Sequence, residues 1–252
     1  MLPRFLACPP VRRSQEGLVG RVESLTQTHS PYSPAAKFLY QSPPGEVIVG
    51  AVFRVTGFPL TIPIFITNFG NLAVLLPIAA AVLAWLSWSP ETRRLGVFWA
   101  IALALCGGTI GLLKVYFWDC PTGPIHSPSG HSGLSLLVYG GLACLTASQT
   151  QRFTVPAIAA GFGLALGIAV SRIIIGDHNP VEVLIGLAIG GAALAIFASA
   201  LTHNRAPLSI KWLLIIATVL AVIVHGQHIQ AEQLFHLIGG YLYSKGLLYC
   251  LR

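Results

Sequence analysis

Residues 171–202 read SRIIIGDHNPVEVLIGLAIGGAALAIFASALT. From Pro180 to Thr202 the only charged residue is Glu182, at the third position of the run. A helix over 180–202 is about 35 Å long, enough to cross ~30 Å of hydrocarbon. Asn179 suits the N-cap and Pro180 the first helical position. Upstream, Ser171–Ile175 closes another apolar run, and Arg172, Asp177 and His178 gather where the two runs meet. Lipid offers no hydrogen bonds, so only helices or closed barrels span it, and these runs lack the period-two alternation of barrel strands. The stretch therefore predicts two membrane helices joined by a polar turn.

The same pattern recurs along the chain, at 71–88, 97–118, 131–149, 155–175, 180–202 and 209–225. The expected fold is all-α, a polytopic helical membrane bundle of about six transmembrane helices within residues 47–225. Composition agrees: 54% of the residues are hydrophobic and 9% charged, against about 25% charged in soluble domains. Residues 47–67 carry Arg54, Pro59 and Pro63. Because an arginine at a span centre costs ~2.5–3.5 kcal/mol, they suit an interfacial or re-entrant piece better than a clean span. Residues 1–46, rich in Pro, Ser, Arg and Gln, read as a flexible or surface-lying tail, and 226–252 as a C-terminal interfacial segment. The start, MLPRFLACPP, is too short and too broken by proline for a secretory signal, so later segments are expected to direct insertion.

All five tryptophans (Trp85, Trp88, Trp99, Trp118 and Trp212) lie near span ends, where aromatic belts form. Charge alternates between connections. Arg93 and Arg94, Arg152, and Arg205 with Lys211 mark one side, whereas 119–130 and 176–179 hold no Lys or Arg. The positive-inside rule puts the first set in the cytoplasm and the second outside a cell membrane. The net charge of +7 is scattered through short connections, which points to membrane orientation and not to nucleic acid. Cys8, Cys106, Cys120, Cys144 and Cys250 form no CxxC pair, so neither a disulfide framework nor a zinc site is expected. His225 and His228 have metal-like spacing but no evident third ligand. Gly107, Gly108 and Gly111, Gly163 and Gly167, and Gly186 and Gly190 recur at helical spacing and suit close helix packing, within the chain or between copies.

Following the chain up and down brings Lys114, His131, Arg172, His178 and Glu182 to one membrane face, the external one. Ionisable residues in spans are functional candidates by default. Lys114 and Arg172 also fit snorkelling, with stems in lipid and heads in water. Ser129 fits an N-cap, and Gly130 lets a ligand approach the backbone. The helix start they open is a ready anion site with His131 in its first turn. Glu182 reads as a capping-box glutamate or as the carboxylate that orients His178 one turn away. Asp177 reads as a solvated loop acid.

In these residues the chain resembles the type 2 phosphatidic acid phosphatase (PAP2) superfamily, which includes bacterial acid phosphatases and vanadium haloperoxidases. That family carries a Lys followed downstream by Arg-Pro, then Pro-Ser-Gly-His, then Ser-Arg, a His and an Asp. Here the second motif is complete at Pro128–His131, and the third is Ser171, Arg172, His178 and Glu182, with Glu in place of Asp. The first is partial: Lys114 is present, but Cys120 precedes Pro121 and the arginine is missing. The resemblance covers roughly 70–203. It implies a PAP2/haloperoxidase-like core and a phosphatase that needs no metal or other cofactor. His178 would be the nucleophile, forming a phosphohistidine, and His131 the acid and base. Glu182 would orient His178, while Lys114, Ser129, Gly130 and Arg172 bind phosphate. A site at the outer lipid–water boundary suits a lipid phosphate or a polyprenyl diphosphate. A lipid phosphotransferase with the same histidines, or a weak relative that only binds phospholipid, are alternatives. The partners expected are the lipid substrate and membrane lipids, not nucleic acid. The missing arginine removes a bidentate contact that lysine cannot replace; His126, in the same loop, is a candidate substitute or a plain surface histidine.

Overall fold

The computed structural model describes residues 60–119, 127–149, 153–203, 210–227, 229 and 231–245. The tail 1–46, most of 47–67 and the loop holding Cys120, Pro121 and His126 lie outside them, as does His228. The described residues form eight helices and no strand: α1 Thr61–Asn68, α2 Leu72–Trp88, α3 Arg93–Asp119, α4 Gly130–Gln149, α5 Thr154–Ile175, α6 Pro180–Thr202, α7 Ile210–Val224 and α8 Ala231–Ser244.

Four stretches are long and apolar enough to cross a membrane: Thr61–Trp88, Arg93–Phe117, Thr154–Ile175 and Pro180–Thr202. The 20-residue α4 is long enough but less apolar. The reason is its place at the centre, where it packs against α3, α5 and α6. Protein surrounds it, and its small and hydroxyl residues (Ser132, Gly133, Ser135, Gly140, Gly141) are buried. Helix α7 is apolar but 15 residues long, so it reaches only about 23 Å. Helix α8 lies along α3, with the Phe235 ring 3.2 Å from where a Cβ on Gly111 would sit.

In lipid, helix association rests on close packing and interhelical hydrogen bonds more than on hydrophobic burial. Both are visible between α4 and α6. A Cβ on Gly186 would collide with the Ser129 carbonyl oxygen, and one on Gly190 with that of Gly133. These two glycines therefore set the approach of the helices within one chain. Gly167 abuts Ile66, whereas Gly107, Gly108 and Gly163 face open space.

Trp99 departs from the aromatic-belt expectation. It is fully buried, its indole N–H donates to the Ala79 carbonyl at 3.0 Å, and its ring meets Phe197 edge-on at 4.9 Å. Gly141 leaves the room that the indole fills. Trp88 and Trp212 are exposed, as belt residues are. The described part of 47–67 is the short helix α1, broken from α2 at Phe69–Asn71. The Tyr139 hydroxyl, from α4, donates to the Phe69 carbonyl at 2.7 Å. Asn71 caps α2 by accepting from the Ala73 N–H at 2.9 Å. The break thus finds partners inside the protein, the condition for irregular backbone at membrane depth. His225 sits against Phe65 and Phe69, with ring centroids 4.7 and 4.5 Å away.

Candidate active site

Four helix ends meet at one end of the bundle: the C-termini of α3 and α5 and the N-termini of α4 and α6. Helix α5 stops at Gly176, whose φ of 84° is left-handed backbone that favours glycine. The chain then folds back on the helix end. The Gly176 N–H donates to the Ile173 carbonyl, and those of Asp177 and His178 donate to Arg172 at 3.1 and 3.4 Å. That turn delivers His178 to the start of α6. There Asn179 is the N-cap, accepting from the Glu182 N–H at 2.9 Å, and Pro180 fills the first position.

Glu182 is 3% exposed, yet its acceptors are met on both oxygens. Oε2 accepts from His178 Nδ1 at 2.9 Å and from the Asn179 N–H at 3.2 Å. Oε1 accepts from the Ser127 N–H at 3.1 Å, and the Glu182 carbonyl accepts from the Ser129 N–H at 3.0 Å. Glu182 thus makes the contacts of a capping box and also meets the His178 ring. Glu182 also pins the segment before α4 to the start of α6, two places 55 residues apart in sequence.

With the carboxylate ionised it can only accept, so the proton of this contact lies on Nδ1, and on a neutral ring the lone pair is then at Nε2. A buried histidine held this way has a fixed tautomer and ring plane.

The Pro-Ser-Gly-His stretch builds the facing wall. Gly133 donates the first helical bond of α4 to the Ser129 carbonyl at 3.2 Å. The Ser129 hydroxyl accepts from Ser132 Oγ at 2.9 Å and reaches the Ser132 N–H at 3.5 Å, the limit of a cap. Ser129 is fully buried. Its hydroxyl is thus placed to shape the helix start more than to meet a ligand. Gly130 and His131 occupy the first turn and are half-buried. Lys114, 5% exposed, lies alongside, with its Cε 3.8 Å from where a Gly130 Cβ would be.

Arg172 pairs with Asp177, Nη1 to Oδ2 at 2.8 Å, with side-chain exposures of 12% and 45%. Asp177 is thus an ion-pair partner inside the cluster and not a purely solvated loop acid. Sequence reading missed it because only the folding back of the Gly176 turn brings residue 177 onto residue 172. Backbone and side-chain contacts therefore link Ser129, Arg172, His178 and Glu182, with Lys114 beside Gly130 and His131 next in the chain. Among the described residues, no three His, Cys, Asp or Glu side chains converge as metal ligands would.

An uncharacterized 22.5 kDa protein in the cps region of Klebsiella pneumoniae is 31% identical over 137 residues, which is 52% of this chain and 66% of that protein. No solved structure matches significantly. The stretch matched by a family model carries every residue of the cluster. With residues 71–206 matched by its family model, the chain belongs to the PAP2 superfamily.

Proposed function

We infer that this protein is a metal-independent membrane phosphatase that hydrolyses a lipid phosphate or polyprenyl diphosphate through a phosphohistidine. Membership of the PAP2 superfamily supports a phosphatase-type activity in general. The observation that carries the finer reading is the 2.9 Å contact of His178 Nδ1 with Glu182. It turns Nε2 away from Glu182 and fits that nitrogen to serve as a nucleophile of fixed orientation.

In the first step Nε2 attacks phosphorus, the P–O bond to the lipid breaks, and His131 gives its proton to the leaving oxygen. In the second, His131 takes a proton from water, the oxygen attacks phosphorus, and the P–N bond breaks to release phosphate. Lys114, Arg172 and the Gly130 N–H stabilise the charge that builds on the phosphoryl oxygens. Ser129 supports them from beneath by setting the start of α4. The neutralisation that a magnesium ion gives other phosphotransfer sites falls here to an ammonium, a guanidinium and a helix terminus.

Assay of the full chain in detergent, with a chelator present, tests this. Phosphate release from phosphatidate or a polyprenyl diphosphate is the expected result. Folded protein that releases none, or that stops when chelator is added, contradicts the reading.

Arg93 and Arg94, at the opposite end of α3 from Lys114, support an extracytoplasmic site in a cell membrane, by the positive-inside rule. A variant keeping only Cys120 is expected to react with a membrane-impermeant maleimide in intact cells. Reaction only after permeabilisation would put the site on the inner face.

A further inference from the structure

The carboxylate of Asp177 takes a donor of the guanidinium assigned above to phosphate, at 2.8 Å. We propose that Asp177 is a resident anion of the phosphoryl site: it occupies Arg172 until a phosphoryl group displaces it, and retakes Arg172 as inorganic phosphate leaves. The inference rests on the phosphatase reading and extends it to product release.

The two partners differ in the way such an exchange needs. The Arg172 side chain is 12% exposed and belongs to the last turn of α5. The Asp177 side chain is 45% exposed and sits on the turn after it. The guanidinium is therefore the fixed member, and the carboxylate is the one with water to swing into. The backbone of Asp177 stays anchored meanwhile, since its N–H donates to the Arg172 carbonyl. Displacement needs rotation of one short side chain and no change of fold.

Charge gives the exchange its consequence. Lys114 and Arg172 bring two positive charges to the cluster, and Glu182 and Asp177 two negative ones. Glu182 is held by the His178 ring and by the N–H groups of Ser127 and Asn179. Asp177 is the acid placed to contend with an incoming anion for a cation. A like charge beside the same guanidinium weakens the grip on every anion, and weakens it most for multiply charged orthophosphate. Tight binding of the product serves no purpose once the ester is cleaved, and release limits many enzymes.

The test is inhibition of phosphate release by inorganic phosphate and by orthovanadate, using the full chain in detergent. Asp177→Asn removes the charge and keeps the shape. It is expected to tighten both inhibitors roughly threefold to tenfold, a range that allows for the half-exposed carboxylate. KM should fall alongside, with no rise in kcat. Asp177→Ser, a second neutral variant, should follow Asp177→Asn, and Asp177→Glu, which keeps the charge, should tighten neither inhibitor. Unchanged or weaker inhibition in both neutral variants overturns the proposal and leaves Asp177 as a residue that only positions Arg172. Folded wild-type protein that releases no phosphate has a different signature; it overturns the phosphatase reading, and this inference with it.

Discussion

Replacing His178 by alanine is expected to reduce phosphate release on the order of 10⁴-fold or more, while the folded bundle survives. The size of the effect follows from the role. Without Nε2 there is no covalent path, and water must attack phosphorus directly with only the cations and the helix start to help. Those groups retain some catalysis, as electrostatic sites do when their nucleophile is lost. Survival of the fold follows from what the ring touches. Removing it deletes one hydrogen bond to Glu182 Oε2, which still accepts from the Asn179 N–H at 3.2 Å. A structural cost of about 1–3 kcal/mol is expected for that change. Two measurements check it together. Brief reaction with ³²P-labelled substrate followed by alkaline denaturation should trap a phosphoprotein in the wild type and none in His178→Ala. Turnover within tenfold of wild type, or label retained in the variant, would remove His178 from the role of nucleophile.

Much of this site is legible in sequence because it is built from helix ends. Asn179, Pro180 and Glu182 declare the start of α6 through local rules that need no tertiary knowledge. Following the spans up and down then brings Lys114 and Arg172 to the same end as the two histidines. What stayed hidden depends on faces and long-range partners. Trp99 lies near the end of an apolar run, which suits a belt residue, but its rotation about α3 turns it toward Ala79 and Phe197. The break before α2 needs a hydroxyl from Tyr139, 70 residues away in sequence. Helix α4 is the least hydrophobic of the long helices because it is the most enclosed, so hydropathy alone undervalues the element that carries half the site. Asp177 lies exposed on its loop as expected, but its pairing with Arg172 is hidden for a related reason: a left-handed glycine reverses the chain, and spacing in sequence does not show where a reversed loop returns.

Glu182→Gln is expected to lower phosphate release by about 10²- to 10⁴-fold and to destabilise the bundle by about 1–3 kcal/mol. The carboxylate accepts on both oxygens, from the Ser127 N–H on one and from His178 Nδ1 and the Asn179 N–H on the other. A glutamine of nearly the same shape must put its NH₂ on one side. If the amide nitrogen faces Ser127, donor meets donor and the link to the segment before α4 is lost. If it faces His178, the ring must accept at Nδ1, which moves the proton to Nε2 and silences the nucleophile. The first orientation costs stability and also removes the charge beside the ring, and the second costs the nucleophile, so both rate and stability should fall. Glu182→Asp separates the two roles. It keeps the charge and the tautomer but is one methylene shorter, so it cannot hold Ser127 and His178 at once without movement of α6. Its rate should fall only about tenfold, because orientation of the ring carries most of the effect, while its stability falls as far as that of the glutamine variant. Phosphate release and thermal unfolding in the same detergent distinguish the cases. A glutamine variant as fast as wild type would show that His178 does not need its carboxylate, and the imidazole would lose the feature that marks it as a poised nucleophile.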